Sequence, residues 1–562
     1  MIWYYTAIEI FCWVFIFVML RHAIYRGQFL LHIFQQSGYK INEFSRWLFR
    51  HWNTILFPVP NLALVLVALI GIAYLEEWLT STAVTIIMLI FSLFWFGSIS
   101  DYDISNAKKP LAYTARMIRL AGVFMLLSIW LPLFGTSFAF YTGNLFPDVY
   151  FLIFTWVFAS LLLPYLLILG ALIIYPVESF IQGRFKKMAS KKIQSMPDLK
   201  VIAITGSYGK TSTKFLIDAV LKERFNVCTT PGSYNTPMGI CKVINNDLKA
   251  SHQILILEMG ARYEGNIDEL CRIAQPDIAI VTNIGVSHLE SFGSVEAIAR
   301  TKSALIRYLK TDGVAVLNGD DQEVKKMADL RSDIDVVFAG ISEQENHIYA
   351  DNVIYDEHGC SFDICFSGEF GHRYPINQKG KKERVSISLL GEHSVMNSLF
   401  AAGIGFISGL RPATVRVGLG KARPVEHRLE LKKRNGILLI DDAFNSNPVG
   451  ARNAISVLYS FRAGNKYVIT PGMIELGDRQ ERENHEFGQW MAKYPPDHVF
   501  LVGQSQTKPV FEGLTDGGYP EKKITVVTSL NEANNKLREK LKEGDVVLYE
   551  NDLPDSYSES PS

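Results

Sequence analysis

The stretch Lys200-Val-Ile-Ala-Ile-Thr205 is a short apolar run typical of a buried β-strand, and Gly206-Ser207-Tyr208-Gly209-Lys210-Thr211-Ser212-Thr213 follows it directly. From Lys214 onward the apolar residues recur with the period of an α-helix. A strand, a glycine turn and a helix N-terminus in this order bind phosphate groups, because backbone N–H groups and the positive end of the helix dipole face the anion. The sequence therefore predicts an α/β domain with a parallel sheet and a nucleotide-binding loop.

The side chains of this phosphate loop indicate ATP and Mg²⁺. Lys210 can reach the outer phosphates, and the hydroxyl of Thr211 suits the metal. The strict form of the motif has glycine at the position of Ile204, so this loop is the shorter form Gly-x-x-Gly-Lys-Thr. A glycine turn with only a structural role is the alternative. The Lys and hydroxyl residues directly after a strand argue against it.

Two further predicted strands end in polar residues that suit the same site. Residues 253–258 end on Glu258, and a carboxylate at a strand's C-terminal edge beside a phosphate loop usually serves the metal or its water. Residues 277–283 lead into a glycine-containing loop that carries His288. A lone histidine is more often structural, but α/β enzymes gather ligands at this edge of the sheet. We therefore expect both side chains near the nucleotide.

Composition separates the chain into two parts. The 562 residues carry 56 Lys plus Arg and 56 Asp plus Glu, so no net charge points to a nucleic acid partner. Six cysteines are scattered without a Cys-x-x-Cys pair, which argues against a zinc ribbon, an iron–sulfur site or a disulfide framework. Leu, Ile, Phe and Trp are concentrated in about the first 180 residues, while the rest has ordinary globular composition.

Five apolar stretches in the N-terminal part are each near the ~20 residues that cross a bilayer as a helix. They are residues 2–20, 55–75, 80–99, 120–141 and 150–175. Basic residues lie in every second loop, and cytoplasmic loops carry the excess of Lys and Arg. We therefore predict five transmembrane helices in the cell (inner) membrane. The N-terminus is expected outside, and everything beyond Arg184 in the cytoplasm, where ATP is.

The predicted spans favour an anchor over a transporter. Glu9 is the only Asp, Glu, Lys or Arg within them. A proton relay or an ion pathway normally needs several such groups, so membrane lipid is the expected partner of this part and an ATP-driven transporter is disfavoured. Residues 28–35 and 44–50 have amphipathic helical spacing, and we expect both to lie in the plane of the membrane interface.

Six ordered motifs resemble those of the Mur ligases, the ATP-dependent enzymes that add amino acids to the peptide stem of cell-wall precursors. The first is the phosphate loop. The others are Leu257-Glu-Met-Gly-Ala-Arg262 with residues 276–302, Gly391-Glu-His-Ser-Val-Met-Asn397, Arg428-Leu-Glu430, Ile440-Asp-Asp-Ala-Phe-Asn-Ser-Asn-Pro448 and Gly472-Met-Ile-Glu-Leu-Gly477. They cover nearly all of residues 195–550, which makes the set more specific than any one motif. The run at 445–448 is similar to the branch that adds D-alanyl-D-alanine.

The resemblance implies a role for each matching residue near the metal. Lys210 would bind the transferred phosphate, and Thr211 with ATP would hold one Mg²⁺. A second Mg²⁺ would be ligated by Glu258, His288 and a carbamylated Lys302. The carbamate replaces a cation with an anionic oxygen, which hard Mg²⁺ prefers. On spacing alone, Lys302 is an ordinary solvated lysine on a helix.

The resemblance also implies the nucleotide contacts. Arg428 would act on the ATP phosphates as a catalytic residue together with Lys210, Lys302 and His288. Asn445 and Asn447 would line the side of the acceptor amine. The residues expected to bind ATP are Gly206, Ser207, Tyr208, Gly209, Lys210, Thr211, Ser212, Asn318, Asp320, Asn397, Arg428 and Asp442.

What the resemblance implies for the whole chain is an ATP-dependent carboxylate–amine ligase. It would join an amino acid or a dipeptide such as D-alanyl-D-alanine to a peptide carboxylate through an acyl phosphate, releasing ADP and phosphate. The implied domains are an α-helical membrane domain at 1–183, a central P-loop ATPase domain with a parallel sheet at 184–424 and a C-terminal Rossmann-like α/β domain at 425–562. Soluble members begin with a domain for a UDP-sugar, which membrane spans replace here, so UDP-linked and lipid-linked precursors both stay open.

Two alternatives accompany this interpretation, a membrane-bound polyglutamate-type ligase and a non-catalytic ATP-binding scaffold for cell-wall machinery. The joint presence of Lys210, Glu258, His288 and Lys302 argues against a scaffold, which would need no metal ligands. The sequence departs from the family pattern at the edges of two motifs, at Ser394 and at Pro471. It departs again in the acidic stretch 548–557, where soluble members tend to have Lys and Arg, and this stretch is expected to change what the C-terminal domain contacts.

Overall fold

The computed structural model of the chain contains two compact units, one including Met1–Ile181 and the other Gln182–Leu553. The positions of the second and third predicted spans lie largely outside the described residues, as do His288 and Asn445 entirely. The predicted domain boundaries at 183 and 424 stay predictions. The residues that the structure describes are 2–52, 55, 102, 104, 110–142, 145–286, 289–342, 346–356, 358–367, 382–443, 446–462 and 464–552.

The first unit is helical over its described part. Its helices are α1 (Ile2–Gln36), α2 (Ile41–Arg50), α3 (Ala115–Thr142) and α4 (Leu145–Gln194), the last of which continues into the second unit. Among the described residues, three segments are long and apolar enough to cross a membrane: Cys12–Gln36, Ala115–Phe138 and Phe154–Gln194. They overlap in part with the first, fourth and fifth predicted spans.

The first helix is longer than predicted. It continues through residue 20 to Gln36, so residues 28–35 are helical as predicted but belong to the same helix as the first span, and their place in the membrane interface stays a prediction. The physical reason is burial, because Leu30, Leu31 and Phe34 pack into a core that also contains Phe44 of α2. The second predicted amphipathic helix, residues 44–50, is present within α2.

Charged side chains also lie within the apolar helices, at positions beyond the bounds of the predicted spans. Since α1 is longer, Arg26 lies inside it rather than in a loop, fully buried. Its guanidinium donates to Ser160 Oγ at 2.9 Å and to the carbonyl of Ile55 at 2.5 Å. Arg119 Nε of α3 donates to Glu178 Oε1 of α4 at 2.6 Å. Buried charges need such partners, because desolvation is costly.

The second unit begins with a sheet of nine strands among the described residues, in the order β2-β3-β1-β4-β5-β6-β7-β8-β9. Pairing is parallel from β2 to β7 and antiparallel from β7 to β9. The strands are β1 (Lys200–Thr205), β2 (Val227–Thr229), β3 (Ile254–Glu258), β4 (Ile278–Val281), β5 (Val314–Asn318), β6 (Asp335–Gly340), β7 (Ile348–Asp356), β8 (Gly359–Phe366) and β9 (Lys382–Ile387).

Helices cover both faces of this sheet, as the continuous apolar runs of its strands require. Along β1, Ile202 and Ile204 face one core while Val201 and Ala203 face the other. Short 3₁₀ turns lie at Lys326–Leu330, Gly477–Arg479 and Glu521–Lys523. The helices are α5 (Lys210–Leu221), α6 (Pro237–Asn246), α7 (Asn266–Ile273), α8 (Leu289–Phe292), α9 (Val295–Lys302), α10 (Ala304–Arg307), α11 (Gln322–Lys325), α12 (Glu392–Ile407) and α13 (Pro412–Gly420).

A second sheet follows, with the order β10-β11-β15-β12-β13-β14 and parallel pairing except between β10 and β11. The chain crosses over so that its last strand lies between β11 and β12, and the C-terminal ends of these three strands form one edge. The elements are β10 (Glu430–Arg434), β11 (Ile437–Asp442), α14 (Pro448–Ser460), β12 (Lys466–Thr470), α15 (Gln480–Lys493), β13 (His498–Val502), α16 (Lys508–Asp516), β14 (Ile524–Val527), α17 (Leu530–Arg538) and β15 (Val546–Glu550).

The predicted fold class is confirmed in its main features. Apolar helices precede an α/β domain with a largely parallel sheet, and a second α/β domain follows. The antiparallel strands β7 to β9 extend the first sheet on one side, and Phe362 of β8 is fully buried in the core beneath α12. Ile354 of β7, by contrast, is 55% exposed.

Phe362→Ala is expected to lower the stability of the second unit. Removing a buried phenyl ring leaves a cavity and typically costs about 3–5 kcal/mol. Thermal unfolding of the detergent-purified chain, followed by circular dichroism, measures the effect. Ile354→Ala on the neighbouring strand is the matched control, and an equal fall in Tm for both variants would contradict this assignment of the core.

Candidate active site

The phosphate loop joins the end of β1 to the start of α5 and depends on two glycines. Gly206 has φ 150° and Gly209 has φ 77°, both in the region that favours glycine. A Cβ at Gly206 would lie 1.9 Å from Thr282 Oγ1, and one at Gly209 would lie 2.9 Å from Asn397 Oδ1. The loop therefore closes tightly against its neighbours because these residues lack side chains.

The segment that follows β4 braces the loop. Asn283 accepts hydrogen bonds from the Tyr208 N–H at Oδ1 (2.8 Å) and from the Ser207 N–H at its carbonyl (3.0 Å). Thr282 Oγ1 donates to the carbonyl of Tyr208 at 2.6 Å. These bonds fix the backbone of the loop, so its remaining amides at the start of α5 point in a set direction. The sequence predicts the loop, but these hydrogen bonds from the segment after β4 were not predicted.

Lys210 is the first residue of α5 and lies over its own loop. Its Nζ donates to the carbonyls of Gly206 (2.7 Å) and Ser207 (3.1 Å). The pKa of Lys210 is lowered to about 8, mainly by burial and also by the charge of Arg428, while the charge of Glu258 acts in the opposite direction. A cation held this way at the start of a helix is suited to phosphate oxygens.

Glu258 ends β3 beside α5 and collects three hydrogen bonds. Thr211 Oγ1 donates to its Oε2 at 2.9 Å, Lys214 Nζ lies 3.3 Å from the same oxygen, and Asn235 Nδ2 donates to Oε1 at 3.1 Å. The contacts of Lys214 and Asn235 with Glu258 were not predicted from the sequence. For Lys214 a signal was present, because it lies one helical turn after Lys210 and so shares its face of α5.

Lys302 ends α9 on the other side of the loop. It is 3% exposed, and its Nζ donates to the carbonyl of Gly206 at 3.0 Å. Burial, and then the nearby charge of Lys210, holds the pKa of Lys302 well below its usual range. A buried amine with a lowered pKa differs from the solvated helix lysine that spacing alone suggested.

The donor set beside the loop suits a hard divalent cation. A hydroxyl and a carboxylate lie 2.9 Å apart at Thr211 and Glu258, and oxygen ligands of this kind are those that Mg²⁺ takes. Within the described residues, no group of three His, Cys, Asp or Glu side chains could hold a metal. His288, predicted as a ligand, lies outside them. The chemistry of Thr211 and Glu258 therefore fits the metal.

A cavity of about 930 Å³ brings the loop together with residues of both sheets. Asn318 donates to the carbonyl of Thr282 at 2.8 Å, and Asn397 of α12 accepts from Thr213 Oγ1 at 2.9 Å. The roles of these residues remain predictions. The predicted site residues that line the cavity are Ser207, Tyr208, Gly209, Lys210, Thr211, Ser212, Glu258, Asn318, Asp320, Asn397, Arg428, Asp442 and Asn447.

The second sheet contributes Arg428 and Asp442 to the cavity. Asp442 ends β11, and its Oδ1 accepts the N–H of Leu429 at 3.1 Å. Burial raises the pKa of Asp442 to about 6, although the Leu429 N–H and the charge of Arg428 act in the opposite direction. Asn447 caps α14, where its Oδ1 accepts the N–H of Gly450 at 2.9 Å.

Two contacts that were not predicted from the sequence connect the domain of the first sheet to that of the second. His393 of α12 is hydrogen-bonded through Nδ1 to Asn453 of α14, and burial lowers the pKa of His393 to about 4. Arg262, after β3, pairs with Glu475 at 3.0 Å. Residues so far apart in sequence offer no local signal for such pairing.

Comparison with known proteins identifies the family of this chain. Residues 204–405 match the Mur ligase middle domain, and residues 427–549 match the Mur ligase, glutamate ligase domain. The chain belongs to the Mur ligase family. It is an ATP-dependent ligase that forms carbon–nitrogen bonds in cell-wall precursor synthesis. The resemblance inferred from the six motifs is thereby confirmed, and so is the use of ATP.

The chain is also similar to individual proteins and solved structures. The chain is 31% identical over 352 residues to UDP-N-acetylmuramoyl-tripeptide–D-alanyl-D-alanine ligase of Bacillus subtilis (strain 168), covering 62% of this chain and 72% of the relative. A crystal structure of MurF from Acinetobacter baumannii has a TM-score of 0.59 and 26% identity, covering 67% and 78%. MurF from Thermotoga maritima in complex with ADP has a TM-score of 0.58 and 26% identity, covering 67% and 82%.

Gly206→Ala is expected to weaken ATP binding. The added Cβ would displace Thr282 and with it the hydrogen bond to Tyr208, so the loop would lose its shape. We expect affinity to fall by about tenfold or more, equivalent to ~1.4 kcal/mol, in calorimetric titration with ATP. Gly183→Ala, in α4 with open space around it, is the control. Unchanged affinity in Gly206→Ala would show that the loop does not bind the nucleotide.

Proposed function

We propose that the chain joins D-alanyl-D-alanine to the carboxylate of a cell-wall peptide precursor. The observation that carries this proposal is that one cavity is lined both by the phosphate loop and by Ser446 and Asn447, of which Asn447 is expected on the acceptor side. Phosphoryl transfer and amide formation need these two sets of groups within one enclosure. The names of the relatives in Bacillus subtilis and Acinetobacter baumannii support the choice of dipeptide.

In the first step, the peptide carboxylate attacks the γ-phosphate of ATP, an acyl phosphate forms and ADP leaves. Lys210 turns from its loop carbonyls to the oxygens of the moving phosphoryl group and neutralises their charge. Arg428 approaches the same phosphates from the second sheet, and Asn318 and Asn397 hold the adenine and ribose. Once these groups are in place around the phosphates, little further reorganisation is needed in the transition state.

We infer that Mg²⁺ assists this step. Thr211 with ATP would hold one ion, and Glu258, His288 and a carbamylated Lys302 would hold a second. When bound, Mg²⁺ supplies positive charge to the phosphate oxygens. In the structure the Lys214 ammonium lies against Glu258 and keeps that carboxylate compensated. The buried Lys302 amine donates to the carbonyl of Gly206 at the start of the phosphate loop, and a carbamate on this amine would supply an anionic oxygen ligand.

In the second step, the neutral amine of the dipeptide attacks the acyl carbon, the new carbon–nitrogen bond forms and phosphate leaves. Water competes with the amine, so the cavity must exclude it. Closure of the second sheet over the nucleotide brings Arg428 and Asp442 across the cleft and serves this purpose. The paired side chains His393 and Asn453 are placed to keep the two sheets in register.

We further propose that the apolar helices anchor the enzyme in the cell membrane through five spans, with the N-terminus outside and the catalytic domains in the cytoplasm. The helices Cys12–Gln36, Ala115–Phe138 and Phe154–Gln194 support the membrane assignment. The orientation follows from the basic residues after the odd-numbered spans. Anchoring favours a lipid-linked precursor over a soluble UDP-linked one as the donor of the carboxylate.

Lys210→Ala is expected to abolish the reaction. In detergent-solubilised full-length protein with ATP, precursor and D-alanyl-D-alanine, we expect ADP release to fall by about a hundredfold or more, because charge on the phosphoryl group is no longer neutralised. UDP-linked and lipid-linked precursors are offered in parallel, and mass spectrometry identifies the product.

Lys222→Ala is the matched control, since this lysine lies just after α5 with its side chain 52% exposed. Wild-type rates in Lys210→Ala, or ADP release that needs neither precursor nor dipeptide, would exclude the proposed ligase reaction.

The membrane orientation has a separate test. Asp148→Cys, between the fourth and fifth predicted spans, should react with a membrane-impermeant maleimide in intact cells, whereas Lys187→Cys should react only after lysis. The six native cysteines are buried, so the background is low. Labelling of Lys187→Cys in intact cells would reverse the proposed orientation.

A further inference from the structure

Glu550, at the end of the last strand, is a fully buried carboxyl group that the proposed steps leave without a role. Its Oε2 accepts from Thr470 Oγ1 at 2.5 Å, and its Oε1 accepts from Ser446 Oγ. Thr470 ends β12, so two neighbouring strands of the second sheet present these groups at one edge. Ligands bind outside the C-terminal edge of such sheets.

Ser446 connects this buried carboxyl group to the cavity. It is half-buried and lines the cavity next to Asn447, the residue expected on the acceptor side. A hydroxyl has one proton to donate and two lone pairs with which to accept. Because the Ser446 hydroxyl donates its hydrogen bond to Glu550, the lone pairs of its oxygen can accept a hydrogen bond from a donor in the cavity. An amine N–H is such a donor.

The surroundings of Glu550 set its proton affinity. The pKa of Glu550 is raised to about 7, mainly by burial and also by the charge of Asp442, while the hydrogen bonds from Ser446 and Thr470 act in the opposite direction. Asp442 lies opposite Glu550 in the register of β11 and β15. Among the described neighbours from β12 and the loop before α14, Thr470 and Ser446 carry no charge. A carboxyl group of this kind is matched to proton transfer near neutral pH.

We propose that Ser446 and Glu550 form a relay that takes the proton of the acceptor's ammonium group before the amine attacks. The N–H bond of the ammonium breaks as its proton moves to Ser446 Oγ. The Ser446 O–H bond breaks as its own proton moves to Glu550 Oε1. The lone pair left on nitrogen then attacks the acyl phosphate, with no change of oxidation state. Glu550 acts through Ser446 and is a positioning residue, and the relay rests on the proposed ligase function.

Asn551 supports the relay by holding Ser446 in place. It adopts φ 65°, its Oδ1 accepts the N–H of Ser446 at 3.3 Å, and its Nδ2 donates to the carbonyl of Gly472 at 2.6 Å. Its own N–H donates to the carbonyl of Asp442 at 3.1 Å. The acidic end of the last strand, where family members tend to have Lys and Arg, therefore contributes to the acceptor side of the cavity.

The test compares two nucleophiles. With D-alanyl-D-alanine, Glu550→Gln and Ser446→Ala are expected to form amide about a hundredfold more slowly than wild type. With hydroxylamine, which is neutral at neutral pH and needs no proton acceptor, both variants should form the hydroxamate at the wild-type rate. Equal losses with both nucleophiles would show that Glu550 has only a structural role and would overturn the relay.

The pH profile is the second readout. The ionised carboxylate is the competent form, so the wild-type rate at saturating substrates should fall as pH drops through about 7. Glu550→Gln should lose this limb. Thr470→Val removes one donor to the carboxylate and should move the limb to higher pH, which gives a test even if Glu550→Gln does not fold.

Glu512→Gln, an exposed carboxyl group of α16, is the control and should behave as wild type. An unchanged profile in both Glu550→Gln and Thr470→Val would exclude the relay. A wild-type enzyme that forms neither amide nor hydroxamate would instead overturn the proposed function, and the relay with it.

Discussion

The ion pair between Lys214 and Glu258 is the interaction on which the rest of the site depends. Both side chains are almost completely buried, at 0% and 1% exposure, with 3.3 Å between nitrogen and oxygen. An unpaired charge at such a depth costs several kcal/mol, on the order of 3–5 when one partner is removed. The pair therefore fixes α5 against the end of β3. The phosphate loop, which enters α5, and Thr211, which shares Glu258 with Lys214, take their positions from it.

The parts of the site that the sequence predicted are those with local causes. The phosphate loop follows from glycines that permit unusual φ angles between a strand and a helix, and Glu258 follows from its place at the end of an apolar run. Lys302 is different, because a lysine on a short helix has no local mark of burial. Only the resemblance to the family identified it, and its burial beside Gly206 is a product of tertiary packing.

The parts that the sequence did not predict arise from contacts between distant segments. The end of α1 could not be placed by hydropathy, because packing of Phe34 against Phe44 extends the helix past its apolar part. His393 is hydrogen-bonded to Asn453, which lies in a distant segment of the chain. Glu550 is likewise buried behind Ser446 and Thr470, which come from two other segments. Hydropathy and spacing report on one element at a time, so they carry no information on which residues meet across a cleft.

Asn551 has a consequence for the timing of the reaction. Asn551, at the end of β15, is hydrogen-bonded to Asp442, Ser446 and Gly472. These bonds link the C-terminal ends of β11, β15 and β12. In the proposed reaction Asp442 meets the nucleotide and Ser446 meets the dipeptide, so this link would make the two move together. Coupled movement of this kind would tie the arrival of the nucleophile to the closing of the site over ATP, and it would limit hydrolysis of the acyl phosphate when no dipeptide is bound.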